Sequence, residues 1–181
     1  MERYNPDKWE YSKYDTELYN FRPLLEEMLG RSDLEKLHNY VDYPELFTLK
    51  TEQSTIYHKE FYKKVRGSDF LEKYNHFVEN IIKPHFGGDK VVFQKIPTFR
   101  TQFLENISVG KWHRDKDYSH SKDEKNFFLS MTDSINTNAV WAESEPNKSD
   151  YNPLNSKYGE YIKWDGANCR PRSAPLKSAV Y

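Results

Sequence analysis

The sequence is poor in cysteine and in long apolar runs. These shortages exclude disulfide-stabilised, zinc-ribbon and helical membrane-spanning proteins. Cys169 is the one cysteine, which excludes an intrachain disulfide framework and any CxxC zinc ribbon. An apolar run of about 18 residues, the length needed to cross a bilayer, is missing. No signal-like apolar stretch follows Met1. We therefore expect a soluble, cytoplasmic protein in a reducing compartment, without a membrane partner.

The chain also lacks a dominant charge and a phosphate-binding glycine loop. Its 27 basic and 28 acidic residues give a formal net charge of -1, so no overall field attracts nucleic acid or anionic membranes. Basic residues do not form a stripe interleaved with aromatic ones. The pair Gly87-Gly88 is typical of a turn rather than of a nucleotide-binding loop. Composition therefore gives no support to a nucleic-acid partner.

Aromatic residues and helical periodicity are plentiful in the first half. The 14 tyrosines, 11 phenylalanines and 4 tryptophans predict an aromatic-rich core for one domain of 181 residues. The clearest helix is predicted from Asp69 to Pro84, because its apolar residues recur at helical spacing. Three earlier helices are predicted from Pro23 to Gly30, from the capping box at 32–35 through Val41, and from about Thr51 to Gly67.

After Gly87-Gly88 the pattern changes to short apolar runs with a period near two, which predicts strands. The runs lie at 91–104, 126–131, 138–144 and 160–164, with turn-rich segments between them. Helices followed by strands predict an α+β fold in a single domain, with a helical layer over 1–86 and a sandwich or barrel over 87–169. The basic, proline-bearing stretch 170–181 is predicted to be an irregular tail.

The most suggestive chemistry lies in the stretch Val109-Gly110-Lys111-Trp112-His113-Arg114-Asp115. If this stretch continues a strand, His113 and Asp115 point to the same face, because side chains alternate. An imidazole and a carboxylate side by side are two members of a 2-His-1-carboxylate site for Fe(II). A solvated polar turn is the alternative interpretation.

An ordered series of segments surrounds this pair, at 94–102, 109–120, 124–133, 137–145 and 159–166. Together they resemble the 2-oxoglutarate/Fe(II)-dependent oxygenase superfamily, and within it a bacterial and phage group of streptomycin-biosynthesis type. The resemblance implies a double-stranded β-helix, or jelly-roll, with His113 and Asp115 as the first two iron ligands. It also implies Fe(II) as the metal, 2-oxoglutarate as the co-substrate, and hydroxylation or another oxidation of a small-molecule substrate.

Four further residues are candidates for binding the co-substrate. Arg100 and Gln102 share one face of the predicted strand, where a guanidinium fork suits a carboxylate. The alternative for both is an outer, solvated face. Asn126 and Trp141 fall in the family-like segments and are expected to line the cavity. For Trp141, plain core packing is the alternative role.

The chain departs from the family pattern where the third iron ligand is expected. The family has a distal histidine about two residues after an Asp-Gly-x-x-Cys segment. Here Arg170 and Pro171 follow Cys169, and no histidine follows His120. We therefore expect a truncated or frame-disrupted member, with a jelly-roll that is incomplete at its C-terminus.

Two residues are possible substitutes for the distal histidine, and each has an ordinary alternative. His120 is better explained as an exposed loop residue, whereas Glu143 is equally explained as a surface charge or a partner of another ligand. The main alternative function is a non-catalytic or truncated jelly-roll that has lost metal and co-substrate binding. A cupin-like metal protein is a further alternative, although a cupin has more histidines near its first strand pair.

Overall fold

Helices and strands occupy separate layers. The structure is a computed structural model and describes residues 9–40, 55–87, 90–101, 121 and 123–173. Within these residues the strands are β1 (Glu10–Lys13), β2 (Asn126–Leu129), β3 (Val140–Ala142), β4 (Asn152–Pro153), β5 (Glu160–Trp164) and β6 (Pro171–Ser173). They form two three-stranded antiparallel sheets, in the orders β1-β5-β2 and β4-β3-β6. The fold is thus mixed helix and strand, and the jelly-roll stays a prediction.

Within the described ranges, the helical layer contains three α-helices: α1 (Phe21–Leu29), α2 (Ile56–Lys64) and α3 (Asp69–Phe77). Gly30 ends α1 as predicted, because its left-handed φ of 65° lets its N–H reach back to the last carbonyls. Thr55 and Ser68 cap α2 and α3. The side chain of each accepts a hydrogen bond from the backbone N–H of the residue three positions later, His58 and Leu71 respectively. Local sequence therefore determines where these helices begin or end.

The helix predicted from the capping box at 32–35 is a 3-10 helix, Leu34–Tyr40, rather than an α-helix. Leu34 and Leu37 are its buried residues, and a spacing of three places both on one side of a 3-10 helix. Glu35 binds the Arg22 guanidinium of α1 through both carboxylate oxygens, at 2.6 and 2.9 Å. This contact anchors the short helix against α1.

The prediction of one helix from Asp69 to Pro84 is correct only in its first half. After α3 the chain widens into a π-helical turn, Val78–Ile82, and then tightens into a 3-10 turn, Lys83–Phe86. Pro84 has no N–H and its ring crowds the carbonyl four residues earlier, so the α-helical pattern cannot continue. The last turn brings His85 onto the first sheet, with Nε2 2.9 Å from the Tyr161 hydroxyl and Nδ1 3.3 Å from the Glu10 carboxylate.

The central strand β5 separates two hydrophobic clusters. Tyr161 faces the helical layer and joins the cluster built around Phe21, Phe61 and Phe77, which we call the helical core. Ile162 and Trp164 face the second sheet. They join the inter-sheet core, which contains Trp9, Ala142, Leu154, Ile162, Trp164 and Cys169. The first sheet is therefore covered on both faces.

Residues 90–101 form no strand in the structure, so the strands predicted for this part of 91–104 are wrong. Ile96 and Phe99 pack on the helical core instead, and Phe99 stacks on Phe61 with ring centroids 4.8 Å apart. Tyrosines of the helices also form hydrogen bonds with the backbone of this segment. The Phe99 N–H donates to the Tyr62 hydroxyl (3.1 Å), and the Tyr74 hydroxyl donates to the Gln94 carbonyl (2.9 Å). Packing on the helices therefore explains the apolar residues Ile96 and Phe99 of this run.

The strands predicted from about 126, 138 and 160 are confirmed, and three strands were missed. β1 lies in a polar stretch, and β4 lies in a segment predicted as a turn. β6 corrects the prediction of an irregular tail for Pro171–Ser173, because this segment pairs with β3. No helix in the described ranges is both long and apolar enough to span a membrane.

Phe61 tests the helical core. It is 1% exposed and contacts Phe70 and Phe99, so Phe61→Ala should lower the free energy of unfolding by about 3–5 kcal/mol. Ile56→Ala, in the same helix but 46% exposed, should change it by less than about 1 kcal/mol. Urea unfolding measures both, and equal losses would contradict this packing.

Candidate functional site

The predicted iron ligands are not part of the described structure. His113, Asp115 and Gln102, together with His120, lie outside the described residues. The described candidates are Arg100, Asn126 and Trp141, which lie in the helical layer and in the two sheets.

Asn126 opens β2 and faces the inter-sheet core. It lies opposite Trp164 of β5, which is 6% exposed. Side chains alternate along a strand, so Asn126 shares its face with Phe128, which packs against the inter-sheet core. The carboxamide is thus a polar group on an otherwise apolar wall between the two sheets.

The turn after β5 packs directly on the start of β2. Lys125 forms an ion pair with Asp165 at 3.1 Å, and the Asn168 amide donates to the same carboxylate at 3.0 and 3.1 Å. Next to this pair, Gly166 lies against the Asn126 carboxamide: an ideal Cβ on Gly166 would stand 2.5 Å from Asn126 Cγ and 2.8 Å from its Nδ2. Lys125 and Asn126, at the start of β2, therefore contact the successive turn residues Asp165 and Gly166.

Arg100 lies beside the helical layer, in the irregular segment that follows Phe99, and its side chain is exposed. Its neighbour His58 is buried in α2, with Nδ1 2.7 Å from the Thr55 hydroxyl. The pKa of His58 is lowered to about 4, mainly by burial and in part by the positive charge of Arg100, while a hydrogen bond with the Phe99 backbone opposes the shift. His58 is therefore neutral at physiological pH.

Trp141 lies in the second sheet, on the face of β3 opposite Val140 and Ala142, which contact the inter-sheet core. Its indole N–H donates to the Asn136 carbonyl at 2.9 Å. The three described candidates thus have different settings: Arg100 by α2, Asn126 between the sheets and Trp141 on the far side of β3. Their predicted role in co-substrate binding stays a prediction.

Glu143 is a buried carboxylate whose role the sequence did not reveal. It is 1% exposed, and its two oxygens accept hydrogen bonds from the backbone N–H groups of Ser149 (3.1 Å) and Arg170 (2.9 Å). The carboxylate ties the end of β3 to the following turn and to the start of β6. Both donors are backbone groups, so the sequence carries no signal that could have identified them.

The described residues contain no group of three or more histidine, cysteine, aspartate or glutamate side chains placed to hold a metal ion. Two histidines of the helical layer bind tyrosine hydroxyls instead: His76 reaches Tyr19 at 3.1 Å and His85 reaches Tyr161 at 2.9 Å. These two imidazoles therefore have structural partners within the domain.

Comparison with known proteins places the chain in a family. It is 33% identical over 162 residues to the streptomycin biosynthesis protein StrG of Streptomyces griseus, a match that covers 89% of this chain and 74% of the relative. The chain belongs to the same protein family as StrG. No family model matches the sequence, and no solved structure matches the fold.

The Glu143 contacts predict a specific loss of stability. In Glu143→Gln one carboxylate oxygen becomes an NH2 group, which faces a backbone N–H, so one buried donor loses its acceptor. We expect the free energy of unfolding to fall by about 1–3 kcal/mol. Glu145→Gln, on the exposed turn nearby, is the matched control and should change it little. Equal stability of the two variants in urea would contradict the role assigned to Glu143.

His58 predicts a pH dependence of stability. Its pKa is near 6.5 in the unfolded chain and about 4 in the folded protein, so between these values the unfolded chain binds a proton that the folded protein does not. The free energy of unfolding therefore falls as pH drops through this window, by up to about 1.4 kcal/mol per pH unit. Urea unfolding of wild type and His58→Gln isolates this contribution. A stability difference that does not vary with pH would contradict a neutral, buried His58.

Proposed function

We propose that this chain is an Fe(II)- and 2-oxoglutarate-dependent oxygenase that oxidises a small polar metabolite in a biosynthetic pathway. The observation that carries the proposal is the His113-x-Asp115 pair within the ordered series of segments that resembles this superfamily. Its family relationship to StrG, a protein named for streptomycin biosynthesis, supports a biosynthetic role. The mixed fold, with two sheets on either side of an apolar core, is compatible with a jelly-roll.

The donor chemistry fits ferrous iron. A neutral imidazole and a hard carboxylate, from His113 and Asp115, are ligands that Fe(II) accepts and that leave positions open for other groups. The described residue that fits the co-substrate is Asn126, a polar group on the inter-sheet wall beside a glycine that leaves it room. When bound, iron together with 2-oxoglutarate and dioxygen supplies an oxidant that removes hydrogen from a substrate C–H bond.

The chain's own residues would bind and shield the co-substrate. The Asn126 Nδ2 can donate a hydrogen bond to a carboxylate oxygen. Ile162, Leu154 and Trp164 line the surrounding core, and their burial keeps water away. A hydrogen bond to a carboxylate is stronger in such surroundings than in water. Arg100, Gln102 and Trp141 stay candidates for further contacts with the co-substrate or substrate.

Anaerobic titration tests the proposal. Fe(II) and 2-oxoglutarate should give the weak visible charge-transfer band of the chelate, saturable in the wild type and lost in His113→Ala and in Asp115→Ala. His38→Ala is the matched control, because it removes an imidazole from the helical layer and should keep the band. If millimolar co-substrate produces no band in the wild type, the active-oxygenase proposal is wrong. A non-catalytic member of the family would then be favoured.

A further inference from the structure

Gly166 is a glycine for reasons of space rather than of backbone conformation. The described glycines with left-handed φ are Gly30, Gly67, Gly87 and Gly159, and Gly166 is not among them. Its backbone would accept any L-residue, but a methyl group there would overlap the Asn126 side chain, 2.5 Å from Oδ1. A Cβ does not approach a non-bonded heavy atom this closely, so one of the two groups would have to move.

The Asn126 amide is the group that would move. The Asn126 backbone is held in the β2–β5 ladder, opposite Trp164. The backbone of the turn is held by the Cys169 N–H, which donates to the Asp165 carbonyl at 2.8 Å, and by the Lys125–Asp165 ion pair. The carboxamide is the end of a side chain with two rotatable bonds, so it yields more easily than either backbone. A larger residue at position 166 would therefore displace the amide while the fold remains.

From this geometry we propose that Gly166 is a positioning residue, which sets the place of the Asn126 carboxamide between the two sheets and thereby the binding of 2-oxoglutarate. The binding part of this inference rests on the proposed function. Gly166 itself contributes no side chain and acts through Asn126, whose amide must lie within about 3 Å of a carboxylate oxygen to donate a hydrogen bond. The turn after β5 is thus part of the binding site without touching the ligand.

A double-mutant cycle tests the inference. The chelate band reports the 2-oxoglutarate dissociation constant in wild type, Gly166→Ala, Asn126→Ala and the double variant. Each single substitution should raise the constant by about tenfold to a hundredfold, the effect of one lost hydrogen bond to a charged group. The double variant should bind no worse than Asn126→Ala alone, because Gly166 acts only through Asn126. Independent, multiplying effects would overturn the inference.

A second readout keeps the result separate from the proposed function. With 15N-asparagine labelling, the Asn126 side-chain NH2 resonance, identified by its absence in Asn126→Ala, should shift in Gly166→Ala without added ligand. An unchanged resonance would overturn the inference, whatever the activity. If the wild type binds no 2-oxoglutarate, the proposed function fails, and the resonance still decides whether Gly166 positions Asn126.

Gly67→Ala is the matched control for lost stability. Gly67 has a φ of 74° and open space around it, so an added methyl group strains the backbone far from Asn126. It should destabilise the protein, leave the Asn126 resonance in place and leave the dissociation constant unchanged. If Gly67→Ala weakens binding as much as Gly166→Ala does, the effect is one of general stability and the inference is wrong.

Discussion

The pairing of β5 is the constraint on which the described structure depends. Its side chains alternate between two cores: Tyr161 completes the aromatic packing under the helices, whereas Ile162 and Trp164 fill the space between the sheets. A shift of one residue in register would turn each side chain to the opposite face and remove it from its core. The two cores together therefore determine the register of β5. β1 and β2 pair with opposite edges of β5, so their registers determine which of their side chains face each core. The location of Asn126 on the inner wall follows from that pairing.

The two cores differ in chemistry. The helical core is built from edge-to-face and stacked aromatic rings, and polar contacts such as Arg22 with Glu35 hold its outer side. The inter-sheet side contains polar groups at defined places: the Ser130 hydroxyl, paired with that of Ser156, and the Asn126 amide against Gly166. Buried polar groups cost stability unless they are well placed. The Asn126 amide on this wall supports the proposal that the co-substrate binds between the sheets.

Sequence reasoning succeeded where local signals were strong. Gly30 ended α1, and the apolar runs near 126, 138 and 160 became strands. It failed where distant contacts decide the structure. Apolar and polar residues alternate over 90–101 as they do in a strand, but Tyr62 and Tyr74 of the helices form hydrogen bonds with the backbone of this segment. β6 follows a proline-bearing sequence, and Glu143 and β3 hold it in place. The contact between Gly166 and Asn126 joins two segments that are far apart in sequence, and no local pattern encodes it.

Paramagnetic broadening by a bound metal would test the proposal that the metal site lies on the inter-sheet side of β5. With Mn(II) in place of Fe(II) and 2-oxoglutarate present, NMR signals of the inward side chains of Phe128 and Ile162 should broaden more than those of their outward neighbours Phe127 and Tyr161. Mg(II) serves as the diamagnetic reference, and His113→Ala should abolish the effect. Stronger broadening of Phe127 and Tyr161, or broadening that persists without His113, would contradict the account.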